Sequence, residues 1–355
     1  MGRATLQTIA DRVGVSRATA SNAFSRPDQL SASLRATILA AAEELGYTGP
    51  DPTARMLARG TTGAVGVLLP ESLRHAFTDE VLTAFLGAVA DALAPTGLAL
   101  TLLPPSGAGD AAPARDVPMD GALVCSCEPG SPPVDRLVRR GIPLVLVDQP
   151  AAADAAVVHV DDRQGARRAA QHLLDLGHRS VGVLTVGVDD GPRLLTPARA
   201  KDAVTGHVAR ERLRGWLDVL RPAGVRMTVA GQSRAYEDAS PAARLLLDVE
   251  DPPTAVLCFS DAMAADLVRT AGQLGIRIPT DLSVVGFDDS PLARRLQPAL
   301  TTVRQDVDAK GRAAAAALQS AIEQSRAGRP GPVPQVVLPA ELVVRGTTTP
   351  PARSA

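Results

Sequence analysis

From residue 62 onward the chain alternates short, continuously apolar runs with helical patterns. The runs are "AVGVLL", "LALTLL", "GALVCS", "PLVLVD", "VVHV", "SVGVLT", "RMTVA", "TAVLCFS" and "LSVVGF". Helical periodicity follows over 78–94, 133–140, 163–176, 207–220, 240–249 and 262–274. A long helix over 307–326 and a last strand near 335–344 close the series. A strand that is apolar at every position is buried on both faces, which happens when helices cover both sides of a parallel sheet. About ten such units exceed one compact sheet. The predicted α/β architecture is therefore two doubly wound parallel-sheet lobes with a cleft between them. No tandem repeat is present, and low-complexity pieces are confined to 104–115 and 346–355.

Residues 1–49 follow a different rule and read as all-helical. Leu6, Ile9, Ala10 and Val13 share one helical face, and Gly14 breaks the pattern. Ser16 is placed to cap a second helix running to about Phe24, which Pro27 ends. Ser31 caps a third, whose apolar stripe is Leu34, Ile38, Ala41, Ala42 and Leu45, with Gly46 closing it. Two helices joined by a short glycine-containing turn form a helix-turn-helix, whose second helix enters the DNA major groove in proteins that use it. Arg17, Ala18 and Asn22 are the candidates for base edges. Arg pairs bidentately with guanine, Asn with adenine, and Ala touches a thymine methyl. Thr5, Ser16, Thr19, Ser21, Ser25 and Ser31 are candidates for the head's DNA contacts, mainly to phosphate oxygens. The alternative is a plain three-helix bundle with solvated polar residues.

Between the two regions stands "GPDPTARMLARGTT". Asp51 can cap and Pro52 begin a helix over 52–59, with Gly60 closing it. Two turns are marginal in water, so this segment needs a partner to fold.

Charge and cysteines restrict the function classes. Net charge is −1, so the chain is not polybasic overall. Residues 1–60 carry seven Arg and five acids, or +2, which leaves −3 for the rest. Only Lys201 and Lys310 accompany 35 Arg, a bias read here as that of a GC-rich genome, with little functional content. Cys125, Cys127 and Cys258 lie in apolar runs, as expected of reduced thiols in a cytoplasmic protein. No metal or other cofactor is expected. No apolar run approaches the ~18–20 residues of a membrane span, so no membrane partner is expected. A dinucleotide-binding enzyme needs G-x-G-x-x-G after its first strand, but "PESLRHAF" follows "AVGVLL". Neither a Walker lysine motif nor a G-x-S-x-G elbow occurs, and no enzymatic activity is expected. A transport-type solute-binding protein would share the two lobes but lack the helical head.

The segments "TLQTIADRVGVSRATASNAF", "SASLRATILAAAEELGY", "MLARGTTGAVGVL", "VHVDDRQGARRAAQHLLDLGHRSVGVL", "ERLRGW" and "IPTDLSVVGFDDSPLARRLQPALTTVRQD" resemble, in order and spacing, the LacI/GalR (lactose-repressor) family of bacterial transcriptional regulators. The resemblance covers about residues 4–346. It implies a helix-turn-helix head over 1–49 and a hinge helix within 50–61. It further implies a periplasmic-binding-protein-like core over 62–346. Its N-lobe is about 62–161 plus 304–331, its C-lobe about 162–303 plus 332–346, and 347–355 is a flexible tail. It also implies a homodimer on pseudopalindromic double-stranded operator DNA. Leu57 matches the leucine that wedges into the central base step in the minor groove; otherwise it is an ordinary buried leucine.

In such a core a small-molecule effector, most simply a sugar, binds beyond the carboxyl ends of the strands. Asp148, Ser260 and Asp288 occupy such ends, and Arg212 matches the family arginine that reaches into the cleft. Carboxylates accept sugar hydroxyl protons and Arg donates. Helix capping is the alternative for Ser260 and Asp288, and surface ion pairing for Arg212. Phe77, Asp79 and Tyr236 complete the candidate set. Where this chain has Ser260 the family often has Asn, which leaves sugar specificity open. Loop 187–206 either lines the cleft or is a surface insertion. Asp161 and Asp162 read as a helix N-cap with its neighbouring charge, and His172 and His178 as structural. The implied function is a repressor released by a sugar or sugar-like effector, with a nucleoside-responsive corepressor as the other mode.

Overall fold

The computed structural model describes residues 4–49, 56, 60–70, 72–105, 112–127, 130–150, 155–235, 237–328, 331 and 333–352. The chain divides into two compact units, residues 1–63 and 64–355.

The first unit is a three-helix head: α1 (Leu6–Val13), α2 (Arg17–Ser25) and α3 (Ala32–Glu44). Each helix begins on a hydroxyl cap. Thr5, Ser16 and Ser31 accept from the backbone N–H of Thr8, Thr19 and Leu34 at 3.2, 3.0 and 3.3 Å. Thr8 returns the bond to the Thr5 N–H, which completes a capping box. Gly14 ends α1 at φ 75, a left-handed conformation that glycine adopts without side-chain cost. Ile9, Ala10, Ala20, Ala23, Ile38, Ala41 and Ala42 form the core, and Phe24 packs edge-on against Tyr47 at 5.5 Å. Small alanines at the contacts let three short helices approach closely.

The second unit holds two sheets. Its strands, numbered in chain order, are β1 (Ala64–Leu68), β2 (Ala99–Leu103), β3 (Ala122–Cys125), β4 (Leu144–Val147), β5 (Ala156–Val160), β6 (Ser180–Thr185), β7 (Arg193–Leu195), β8 (Arg226–Gly231), β9 (Ala255–Cys258), β10 (Ser283–Asp288), β11 (Thr301–Gln305), β12 (Gln335–Leu338) and β13 (Ala340–Val343). The first sheet runs β12-β5-β4-β3-β1-β2 and is wholly parallel. The second runs β13-β11-β10-β9-β6-β8-β7, parallel except for the antiparallel edge strands β13 and β7. In both, strand order reverses beside the first strand, between β1 and β3 and between β6 and β9. Ligand crevices open at the carboxyl ends of such pairs. The chain passes between lobes three times, at Asp161, Asp306 and Pro339. Asp161 and Asp306 cap the helices that follow, accepting from Gln164 and Ala309 N–H at 3.0 and 2.8 Å.

Two expectations are corrected, on the last strand and the tail, and one strand is added. The last strand is two strands split by Pro339, with β12 in the first lobe, so the first lobe reclaims 335–338 from the segment assigned to the second. The "LTTVRQD" stretch contains β11, a full strand of the second sheet. The described part of the tail is docked, not loose. Thr347 is fully buried, its hydroxyl takes the Thr301 N–H and its carbonyl the Val284 N–H, both at 2.8 Å. Thr348 and Thr349 bond His172 and His178 at 3.0 Å. His178 is fully buried and also bonds Thr254 and Ser283, the structural role expected of it.

Helices Asp162–Asp175 and His207–Leu220 pack closely at Gly215. A Cβ on Gly215 would stand 2.3 Å from the Arg163 carbonyl oxygen and 2.7 Å from the Ala166 Cβ. Gly215→Ala gains about 1 kcal/mol of helix propensity, but a backbone oxygen cannot move away as a flexible side chain can. Overpacking of about 1–3 kcal/mol or more decides the sign. The variant is expected to be less stable in urea, and a rise in its midpoint would contradict this packing.

Candidate functional site

The carboxyl ends of both sheets face one cleft of about 1120 Å³, at the upper end of ordinary ligand cavities. A chain of polar groups crosses its floor. Asp148, just past β4, accepts from Lys310 Nζ at 2.7 Å. Lys310, in the first turn of helix Val307–Arg326, also donates to Gln305 Oε1 at 2.9 Å. Gln305 ends β11, and its Nε2 donates to Asp288 Oδ1 at 2.6 Å. Asp288 ends β10 and stands 3.5 Å from Arg212 Nη1. Arg212 Nε donates to Asp162 Oδ1 at 2.8 Å, and its Nη1 also donates to the Phe259 carbonyl. The chain thus runs from the first lobe to the second without a break.

The sheets hold these groups against physical cost. Asp148 has φ 55 and Asp288 φ 119, where side-chain-bearing residues are strained by about 1–3 kcal/mol. Arg212 and Asp162 are 4% exposed each, so a charge there depends on its partner. The Arg212 guanidinium also lies 3.5 Å over the Phe287 ring and 4.7 Å over Phe259. Burial raises the pKa of Asp162 although Arg212 opposes it. Burial likewise pushes Asp288 up to about 6, against the pull of Arg212. Asp261, which accepts from the Thr302 hydroxyl and the Ser290 N–H, is also raised, first by burial and then by Asp288. His207 is lowered by burial.

Asp79, Asp148, Arg212, Ser260 and Asp288 all line the cleft. Asp79 and Ser260 also cap helices, accepting from the Leu82 and Met263 N–H at 2.7 and 3.2 Å. The capping alternative for Ser260 is therefore present, while for Asp288 it is replaced by bonds to Gln305 and Arg212. Phe77 is corrected. It follows the four-residue helix Leu73–Ala76, is 68% exposed, and does not line the cleft, although His75, Thr78 and Asp79 around it do. Tyr236, Leu57 and most of the hinge segment 50–61 lie outside the described residues. Asp162 is a second correction: Asp161 is the cap, but Asp162 is the buried partner of Arg212. Gln305 and Lys310 also line the cleft, although no local sequence pattern marks either as a ligand contact. Loop 187–206 contains β7 and helix Pro197–Ala203, and its ends, Gly187, Thr205 and Gly206, line the cleft.

In the head, Arg17 and Ala18 are exposed on the first turn of α2. Asn22 is half-buried and donates to Gln29 Oε1 at 3.1 Å, so one of its amide hydrogens already has a protein partner. The Ser16 hydroxyl oxygen is engaged in capping and bonds the Thr19 hydroxyl at 2.8 Å. What the caps leave open is the cluster of backbone N–H groups at each helix start, suited to phosphate.

Residues 5–49 match the bacterial regulatory proteins of the lacI family, and residues 170–348 match the periplasmic binding protein-like domain. The chain is 38% identical over 324 residues to the HTH-type transcriptional regulator IpsA of Corynebacterium glutamicum, covering 86% of this chain and 88% of that one. Among solved structures, a transcriptional regulator CelR–cellobiose complex is 28% identical with a TM-score of 0.69, covering 97% of this chain and all of that one. The lac repressor dimer bound to operator shares the fold, with a TM-score of 0.76 at 24% identity over 98% of this chain and all of that one. A helix-turn-helix head and a periplasmic binding protein-like core together define the class of DNA-binding regulators with this two-part build. The chain belongs to the LacI family, and it is a DNA-binding transcriptional regulator, not an enzyme.

Proposed function

We propose that the protein is a homodimeric repressor released from its operator by an uncharged sugar or sugar-like polyol bound in the cleft. The observation that carries the reading is the floor itself. Carboxylates from both lobes alternate with Lys310 and Arg212, so adjacent hydroxyls find an acceptor and a donor in turn. Among the described residues, Asp148 Oδ1, Asp288 Oδ2 and Arg212 Nη2 have no hydrogen-bond partner, which leaves them for a ligand. Eight carboxylates against four Arg and Lys line the cleft, so a phosphorylated or other anionic ligand meets net repulsion. The cellobiose held by the CelR structure supports a sugar as the class. The described aromatic faces in the cleft are already used, Phe259 by Arg212 and Phe85 by Lys310, which disfavours a stacked nucleoside. The test is a thermal-shift comparison of neutral sugars with their phosphates on the full chain. Neutral sugars are expected to raise the melting temperature and phosphates to leave it unchanged; the reverse would overturn the assignment.

The same geometry gives a pH dependence. Asp288 offers two charged acceptor oxygens only when ionised, and burial holds its pKa above the ordinary carboxylate value, at about 6. Acidification from pH 7.5 to 5.5 protonates it, and sugar affinity is expected to fall roughly threefold to fivefold. Asp288→Asn is expected to bind weakly, with no such fall. Calorimetric titration at both pH values checks this.

A further inference from the structure

The chain uses 35 Arg and two Lys. One of the two, Lys310, stands where an ammonium differs most from a guanidinium. It is 4% exposed, on the cleft floor, beside the edge of the first-lobe core at Phe85, whose ring centroid is 5.9 Å from Nζ. An ammonium carries three tetrahedral donors on one atom; a guanidinium spreads five over a plane and needs a wider berth. Two of the three donors are accounted for, by Asp148 Oδ2 at 2.7 Å and Gln305 Oε1 at 2.9 Å. Among the described residues the third has no hydrogen-bond partner, and neither has the second oxygen of Asp148.

We propose that Lys310 is an effector-contacting, specificity-determining residue that reads a vicinal diol together with Asp148. The third N–H of Lys310 donates to one hydroxyl oxygen. Asp148 Oδ1 accepts the proton of the adjacent hydroxyl. The two protein groups stand one hydrogen-bond length apart, as do the oxygens of a gauche diol. Gln305 then carries the contact onward: its Oε1 is on Lys310 and its Nε2 on Asp288 of the other lobe, at 2.9 and 2.6 Å. A diol seated on Lys310 therefore acts on the same hydrogen-bonded chain that holds Asp288 and Arg212. The inference rests on the polyol reading above and adds to it which ligand feature the first lobe recognises.

The test titrates D-glucose, D-galactose, D-ribose and cellobiose into the full-length protein by calorimetry, then the monodeoxy derivatives of the sugar that binds best. Wild-type protein is expected to lose tenfold or more in affinity for a monodeoxy sugar lacking one of the diol hydroxyls. Lys310→Met is expected to weaken the parent sugar by ten- to a hundredfold. It should also bind the deoxy sugar that lacks the hydroxyl accepting from Lys310 about as well as the parent, because the lost contact no longer matters. Lys310→Gln, which keeps polarity at the site, is expected to show the same loss of discrimination and serves if the Met variant does not fold. Lys310→Arg should not restore wild-type selectivity. A Lys310→Met protein that weakens every analogue by one common factor assigns Lys310 a structural role and overturns the proposal, as does one that binds like wild type. Arg212→Lys separates the two levels. If it loses sugar binding while Lys310→Met does not, only the Lys310 assignment falls. If neither variant changes binding, or no neutral sugar binds the wild type, the cleft reading falls with it.

Discussion

Arg212→Ala is expected to reduce effector affinity by at least a hundredfold, about 2.7 kcal/mol, and to lower the stability of the core. The side chain closes the polar chain at its second-lobe end. It neutralises Asp162, approaches Asp288, bonds the Phe259 carbonyl and lies against two aromatic rings. Removing it leaves Asp162 and Asp288 buried without their cation. Breaking a buried pair in this way costs about 3–5 kcal/mol, far more than a surface pair. Part of that cost disappears if Asp162 takes up a proton, which its raised pKa favours. The stability loss should therefore be smaller at pH 5 than at pH 8, while the loss of ligand binding persists at both. Urea unfolding and calorimetry at the two pH values give both quantities. Unchanged ligand affinity in a folded Arg212→Ala protein would remove Arg212 from the site.

The second large effect is expected in the head. Arg17→Ala should lower affinity for the DNA upstream of the protein's own gene by about 1–3 kcal/mol, the discrimination of a good bidentate base contact. Affinity for unrelated DNA should fall by less than about threefold, and the slope of affinity with salt should change little. Arg17 is exposed on the first turn of α2, where base-reading side chains of a recognition helix are found. Ser16→Ala should behave differently. Its oxygen caps α2, so the variant loses about 1 kcal/mol of head stability and weakens all DNA alike. Equal weakening of both DNAs by Arg17→Ala would make Arg17 a phosphate contact instead.

Much of this architecture is legible in sequence because it depends on local rules. Continuous apolar runs imply parallel strands, and a hydroxyl before an amphipathic stretch implies a cap. What escapes is long-range. Asp161 and Asp162 look alike in sequence, and only the Arg212 partner fifty residues on distinguishes them. Lys310 looked like a compositional accident, because its meaning comes from Asp148, 162 residues away. β11 escaped because "TTVRQ" is neither uniformly apolar nor alternating, although four of its five residues are buried. The tail read as loose because Thr and Pro carry no periodicity, yet Thr347 forms bonds to two strands. Phe77 has the chemistry and sequence position of a cleft residue, but the turn after helix Leu73–Ala76 leaves it in solvent.

The central claim is that a polyol in the cleft governs DNA affinity. Ligands change a second affinity only through differential binding to two states. The direct measurement is fluorescence anisotropy of a labelled fragment from upstream of the protein's own gene, titrated with the full chain, with and without a saturating neutral sugar that the core binds. The expected result is a tenfold or greater loss of DNA affinity with sugar, about 1.4 kcal/mol of coupling, and no response in Arg212→Ala. A sugar that binds the cleft and leaves DNA affinity unchanged would contradict the account.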